Sequence, residues 1–226
     1  MQMRVIVLIV FLVFGVISGM ASNSFKDSVS MHANCNHTNT WGFYGHKRIN
    51  RMAVFTLPPD LFSLYKTNIE FITDHAVDPD KRRYAAKGEA ERHYIDIDHY
   101  AHKGEDPFEV MPERWADAVK KFGEDTLHAY GIVPWHLEVM IGRLTKAFKD
   151  GNLDRILNLS ADLGHYIGDA HVPLHTTENY NGQMTNQKGI HGFWESRIPE
   201  LNAEDYDYLL GTDRKSTCLN SSHITT

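Results

Sequence analysis

Cysteine is nearly absent from this 226-residue chain, which has only Cys35 and Cys218. Two thiols this far apart exclude a disulfide framework and thiolate metal clusters, so any bound metal must be held by nitrogen and oxygen. A basic excess is also missing. There are 23 Lys+Arg against 29 Asp+Glu, a formal charge of -6, and such a surface excludes a histone-like protein or a polybasic membrane binder. Long hydrophobic runs are lacking too. The apolar stretch at residues 5–17 is shorter than the roughly 20 residues that a spanning helix needs, which argues against a polytopic membrane protein. Residues 41–210 contain no repeat, no low-complexity tract and no linker long enough to divide domains. With 42% hydrophobic and 23% charged residues, the composition suits one domain with a sizeable core and excludes disorder or collagen-like structure.

The two ends differ in character from the middle. Arg4, the apolar run, and then Ser18, Gly19, Met20 and Ala21 read as a signal peptide over residues 1–21, the alternative being a membrane anchor. Export to a periplasm or to the exterior is therefore expected. Residues 22–40, rich in Asn, Ser and Thr, read as a polar leader. Residues 213–226 carry no helical pattern to follow Tyr206, Leu209 and Leu210. They read either as a disordered tail or as sequence foreign to a fold cut short. A Cys35–Cys218 bridge is conceivable.

Apolar residues in the middle recur at helical spacing. Ile49, Met52, Ala53 and Leu57 form one set, and Trp115, Val119, Phe122 and Leu127 another. Leu137, Met140, Ile141, Leu144 and Phe148 form a third, followed by Leu153, Ile156, Leu157, Leu163 and Ile167. Pro58, Pro59, Pro79, Pro112, Pro134 and Pro173 fall between or at the edges of these segments. Strand-like alternation is confined to a mild pattern at residues 93–100. The spacing predicts an all-α, single-domain multi-helix bundle over residues 41–212.

Histidine, with 14 copies, is unusually frequent. The strongest pattern is His165-Tyr166-Ile167-Gly168-Asp169, followed by His171, Pro173 and His175. On a helix His165 and Asp169 share one face, while Gly164 and Gly168 remove neighbouring side chains and leave room for ions. Pro173 then ends the helix and turns His175 back towards the same place. An imidazole and a carboxylate at this spacing are ordinary ligands of first-row metals, and zinc suits a nitrogen and oxygen set without sulfur. A second i, i+4 pair, His191 and Glu195, follows a Gly- and Asn-rich stretch at residues 179–189 that suits a loop at the mouth of a site. Alone such a pair is commonplace on a surface; after His175 it can close a second metal site. Residues 93–99 gather His93, Asp96, Asp98 and His99 in an apolar frame. Asp78 and Asp80 beside Lys81, Arg82 and Arg83 have good turn chemistry. His99 and His102 lack a comparable frame, and His128 and His136 read as structural residues.

In this order the motifs resemble those of the exported zinc enzymes that comprise single-strand-specific nucleases and bacterial phospholipases C. The resemblance runs from Trp41 to about Glu195. It implies an all-helical domain holding up to three zinc ions at the base of a cleft where phosphodiesters are hydrolysed. His165 and Asp169 match the family's His-x-x-x-Asp, His175 its Pro-Leu-His, and His191 with Glu195 its His-x-x-x-Asp/Glu. His93 matches its His-aromatic-x-Asp element, and Trp41 and His46 its amino-terminal Trp and His. Asp80 with Arg83 reproduces its Asp-x-x-Arg, Asp78 being the alternative. The resemblance thus implies one zinc on Asp80, His93, His165 and Asp169, and a second on His175, His191 and Glu195. The third would sit on Trp41, His46 and a bridging Asp169. In the family that tryptophan is the first mature residue and binds through its free amine. Cleavage after Ala21 would leave residues 22–40 in front of it, so either a second cut follows Thr40 or the third site is weak. Relatives also continue with more helix beyond the last metal pair, which implies incomplete packing behind the site.

Three zinc ions less the carboxylates of Asp80, Asp169 and Glu195 would leave a cleft of about +3, able to draw in a phosphodiester despite the acidic chain. Zinc brings the pKa of bound water to about 7, which supplies hydroxide for attack on phosphorus. Asp80 and Asp169 would place the ions, and Arg83 would add charge to the developing oxyanions. Single-stranded nucleic acid is the expected substrate, with Tyr94 stacking a base, Asp96 bonding its edge and Asn179 contacting it from the mouth loop. Glu195, where the nuclease branch has aspartate, keeps phospholipid open as an alternative. A non-catalytic helical relative is the third possibility. No stable protein partner is inferred, and a monomer is expected.

Overall fold

The computed structural model describes residues 42–101 and 104–206. The signal peptide, the polar leader, Trp41, His102, both cysteines and the tail at 213–226 lie outside the described residues. Among the described residues the chain is helical and contains no strand, the all-α single-domain architecture expected from the spacing. In order come α1 (Phe43–Val54), α2 (Pro59–Thr67), α3 (Ile69–Asp74) and α4 (Asp78–Arg82). Then follow α5 (Pro107–Val110), α6 (Trp115–Phe122), α7 (Glu124–Ala129), α8 (Val133–Asp150) and α9 (Leu153–Ala170). A short 3-10 turn (Pro173–His175), α10 (Ile190–Gly192), a π-helical turn (Phe193–Arg197), α11 (Ile198–Asn202) and a last 3-10 turn (Ala203–Asp205) follow. No helix among the described residues is long and apolar enough to cross a membrane.

The longest helices, α8 and α9, form a hairpin joined through Gly151 and Asn152. Gly151 closes α8 at φ 63°, and the Asn152 side chain opens α9 by accepting from the Arg155 N–H at 3.0 Å, as a helix N-cap does. Met140, Leu144 and Ala147 of α8 meet Ile156, Leu157, Ala161 and Leu163 of α9 in the core. Phe148 and Leu153 share the apolar spacing but are exposed, because they flank the hairpin turn. Trp135 anchors the α6–α7 side: its ring lies 5.4 Å from that of Trp115 and its Nε1 donates to the Glu113 carbonyl at 3.0 Å. Pro173 stands just beyond α9, where a missing N–H no longer interrupts the helix.

On its other side α9 packs against α1 and α3, and here the two glycines of α9 act differently from the expectation. A Cβ at Gly164 would sit 2.1 Å from Asn50 Oδ1, and one at Gly168 would sit 3.3 Å from His46 Nδ1. They therefore make room for α1, not for ions. Asn50 uses that closeness: almost fully buried, it donates from Nδ2 to the Ala161 carbonyl at 2.9 Å. The result is that His46, one turn before Asn50, is brought against the His165 and Asp169 face.

Residues 93–100 form no strand. Their backbone N–H groups go to two different neighbours, Ile95 to the His175 carbonyl (2.9 Å), Asp96 to Tyr130 (2.8 Å) and Ile97 to Thr176 (3.2 Å), so no ladder can start. Gly131 permits this docking. It holds φ 91°, and a Cβ there would lie 2.2 Å from the Tyr94 carbonyl.

Two glycine substitutions on these helices should have opposite effects. Gly164→Ala must displace Asn50 and lose its bond to Ala161, a loss of about 1–3 kcal/mol. Gly142→Ala, at an exposed site of α8 with nothing within 4 Å of the new Cβ, should gain about 0.5–1 kcal/mol. Thermal unfolding of both variants measures this, and a Gly164→Ala variant as stable as Gly142→Ala would contradict the close helix crossing.

Candidate metal centre

Five segments converge at the C-terminal half of α9. The helix supplies His165 and Asp169; α1 supplies His46; α4 supplies Asp80; the segment before Ile95 supplies His93; and the chain beyond Pro173 supplies His175, His191 and Glu195. Their ligating atoms form three sets with the spacing of metal sites: His46, His165 and Asp169; Asp80, His93 and His165; and His175, His191 and Glu195. Several of these groups are buried, and they could hold a metal ion. Asp80 faces the cluster, its Oδ1 lying 3.8 Å from His93 Nδ1 and 3.7 Å from His165 Nε2. Asp78 is taken up by His75 (2.5 Å) and Lys81 (2.8 Å) and stands outside the three sets. Trp41, expected to complete the set around His46, lies outside the described residues.

Asp169 connects these sets. Its Oδ2 is 2.9 Å from His93 Nδ1 and 3.2 Å from His165 Nε2, while its Oδ1 is 3.2 Å from His46 Nε2 and 3.9 Å from His175 Nε2. His175 Nε2 in turn meets Glu195 Oε1 at 2.6 Å, and His191 Nε2 meets Glu195 Oε2 at 3.0 Å. The π-helical turn over Phe193–Arg197 carries Glu195, and π turns are often found at functional positions.

The imidazoles are oriented as ligands need to be. His165 donates from Nδ1 to the Ala76 carbonyl at 2.8 Å, His175 to the His93 carbonyl at 2.6 Å, and His191 to the Tyr180 carbonyl at 3.1 Å. Each donation places one ring proton outward, so that the inward Nε2 is the nitrogen at which a metal can replace a proton, the arrangement that a metal-binding histidine uses. His46 Nδ1 and His93 Nε2 are buried without a hydrogen-bond partner.

Charge in the site is arranged around the carboxylates. Burial pushes the Asp169 carboxyl up, but the charges of His165, His175 and His46 outweigh it and hold the group well below the carboxylate range. Burial lowers His165, yet Asp169 and Asp80 raise it further, so it ends above its ordinary value. His93, buried deeply and facing His165, is lowered in spite of its bond to Asp169. Burial also opposes charge on His175 and Glu195, but the charge of Asp169 and then the bond to Glu195 move the imidazole up to about 9, and the bonds from His175 and His191 move the Glu195 carboxyl down to about 2.

Beside the cluster opens a cleft of about 200 Å³ lined by Arg83, Tyr94, Asp96, Leu174, His175, Tyr180 and His191. Arg83 and its neighbour Arg82 part company here. Arg82 turns inward to Asp162 (2.7 Å), Glu89 (3.1 Å) and Tyr166 (3.2 Å). Burial, and then the charges of Asp98 and Glu178, push the Asp96 carboxyl up to about 6. Asn179 is not among the lining residues. Both ends of its amide are used inside the loop, Nδ2 on Thr185 (3.0 Å) and Oδ1 on the Met184 N–H (2.8 Å). Tyr180 of the same loop reaches the cleft instead. His99 stacks on Tyr130 with ring centroids 3.3 Å apart, and His136 packs edge-on against Tyr166, so neither joins the cluster.

Sequence reasoning passed over Glu89, Asn50 and Gly131, which carry no motif. A lone glutamate before His93 gives no sign that it is buried. Comparison with protein-family models, with curated proteins and with solved structures returns no match for this chain.

Metal and protons should compete for this cluster. Below about 9 the metal-free His175 carries a proton that a metal must displace, so affinity should fall with acidity by about one decade per pH unit for each proton released. Zinc titrations between mildly alkaline and mildly acid pH measure this, and pH-independent binding would contradict the assigned ligands. His165→Ala, which removes a ligand shared by two of the sets, should leave at most the one zinc ion of His175, His191 and Glu195 after dialysis; full metal content in that variant would contradict the centre.

Proposed function

We propose that this chain is an exported zinc-dependent phosphodiesterase that cleaves single-stranded nucleic acid, a relative of the nuclease and phospholipase C enzymes whose motifs it resembles. The observation that carries this reading is Asp169, a buried carboxylate in reach of imidazoles from all three candidate ligand sets, placed beside a cleft that presents one arginine and two tyrosines. An all-nitrogen and oxygen donor set of this kind suits zinc. Zinc held there supplies Lewis acidity and, by lowering the pKa of water, a nucleophile at neutral pH.

The chain's own residues do the rest. The Arg83 guanidinium, on the cleft wall, is placed to hold non-bridging phosphate oxygens and the charge that grows on them. Tyr94 and Tyr180 offer aromatic surface on which a base can stack without regard to its identity. Asp96, with its carboxyl raised to about 6, is ionised at neutral pH and accepts a hydrogen bond from a base edge; in mildly acid solution it takes up a proton. Asp98 holds the mouth loop in place by accepting from Thr177 Oγ1 at 2.6 Å and from the Glu178 N–H at 3.0 Å. Stacking surface on the cleft wall, with the Asp96 carboxylate beside it, suits a nucleic-acid base. Glu195, the acid of the phospholipase branch, supports phospholipid as the second reading.

Turnover of single-stranded DNA and of phosphatidylcholine dispersions by the zinc-loaded protein tests the choice. Cleavage of DNA is expected; a preference for lipid would transfer the assignment to a phospholipase, and inactivity on both with a full metal complement would mark a non-catalytic relative. Tyr94→Leu should lower kcat/KM on single-stranded DNA by roughly 5- to 150-fold, the loss of one stacked base. The same variant should leave zinc content and hydrolysis of a small aryl phosphodiester unchanged. Equal losses on both substrates would contradict a stacking role.

A further inference from the structure

Glu89 is a buried carboxylate outside the three ligand sets. It is 1% exposed, directly behind His93, which is fully buried. Its Oε1 accepts from Arg82 Nε at 3.1 Å and from the Tyr166 hydroxyl, and its Oε2 accepts from an Arg92 nitrogen at 2.7 Å. Two cations and a phenol thus hold one anion in the interior, where an unpaired carboxylate would be costly.

His93 differs from its neighbours in the cluster. His165, His175 and His191 face inward with Nε2 and give the Nδ1 proton to a backbone carbonyl. His93 faces inward with Nδ1, towards Asp169, His165 and Asp80. A neutral imidazole that donates its Nδ1 lone pair must carry its proton on Nε2. That nitrogen is buried without a hydrogen-bond partner, and the carboxylate it faces is Glu89, whose Oε1 lies 3.9 Å away.

We infer that Glu89 is the positioning residue of His93: its buried negative charge favours the tautomer with the proton on Nε2 and so keeps Nδ1 available to the metal. At 3.9 Å the carboxylate acts on the ring through its charge and not through a hydrogen bond, in the place where a carboxylate–histidine–metal arrangement has its outer partner, and a negative charge there raises the ligand's basicity. Arg92 works against it, since its charge offsets part of the field that Glu89 exerts on the ring. The inference rests on the metal-centre reading but not on the identity of the substrate.

Zinc affinity of the full chain, measured by competition with a chromophoric chelator, tests it together with the visible absorption of the cobalt-substituted protein. Glu89→Gln keeps the shape and removes the charge; it should weaken the affinity about 10- to 100-fold and shift the cobalt bands. Arg92→Gln, at a half-buried site, should tighten binding severalfold, because the carboxylate field on His93 is then less offset. If Glu89 served only to pair the two arginines, both variants would bind zinc equally or more weakly than the parent. Unchanged affinity in Glu89→Gln, or unchanged or weakened affinity in Arg92→Gln, overturns the inference, and the second variant decides if the first does not fold. No zinc uptake by the unsubstituted chain in the same titration would overturn the metal centre itself, an outcome distinct from the failure of Glu89.

Discussion

A single carboxylate, Asp169, sits 2% exposed among His46, His93, His165 and His175, and the placement of the surrounding elements serves this meeting. An ionised acid in the interior is tolerated only when opposite charge or a metal compensates it. Here the charges of His165, His175 and His46, together with the hydrogen-bond contact to His93, supply the compensation. Helix α9 provides the fixed edge, because His165 and Asp169 are one turn apart on it, and the other segments are drawn to that edge. Removing the anion would leave several imidazoles facing each other with nothing to hold them.

Close backbone approach makes the meeting possible. Gly164 and Gly168 let α1 cross α9 near enough for Asn50 to bond the Ala161 carbonyl, and that crossing delivers His46. Gly131 lets the Tyr130–Gly131 backbone dock on Tyr94, which fixes the segment carrying His93. The same segment donates N–H groups to His175 and Thr176 and accepts the His175 ring proton at the His93 carbonyl. Two of the candidate ligand sets are therefore joined through one stretch of backbone, so a shift of His93 is also a shift of His175.

The helical architecture could be read from the sequence because apolar residues such as Met140, Leu144 and Ile156 repeat with the helix period and do lie in the core. Most ligand candidates were legible for the same reason: an i, i+4 pair on a helix is local geometry, and Pro173 marks where the chain must turn. What could not be read depends on contacts distant in the chain. The spacing of Gly164 and Gly168 suggested space for ions, whereas the space is filled by Asn50 and His46 from a helix more than a hundred residues away. In the sequence Asp80 is preferred to Asp78 through the resemblance alone; its approach to His93 and His165 is a contact that no local pattern contains. Asn179 lay in the expected loop, but its amide satisfies that loop's own backbone while Tyr180 faces the cleft. Glu89 had no motif at all; only the folded chain places it behind His93.

The most direct measurement is native mass spectrometry of the zinc-loaded chain and of its Asp169→Asn variant, which keeps the side chain's shape but removes its charge. The expected result is more than one zinc ion on the parent and at most one on the variant, the remaining ion being held by His175, His191 and Glu195. A variant that keeps the parent's full zinc complement would contradict the central place given to Asp169.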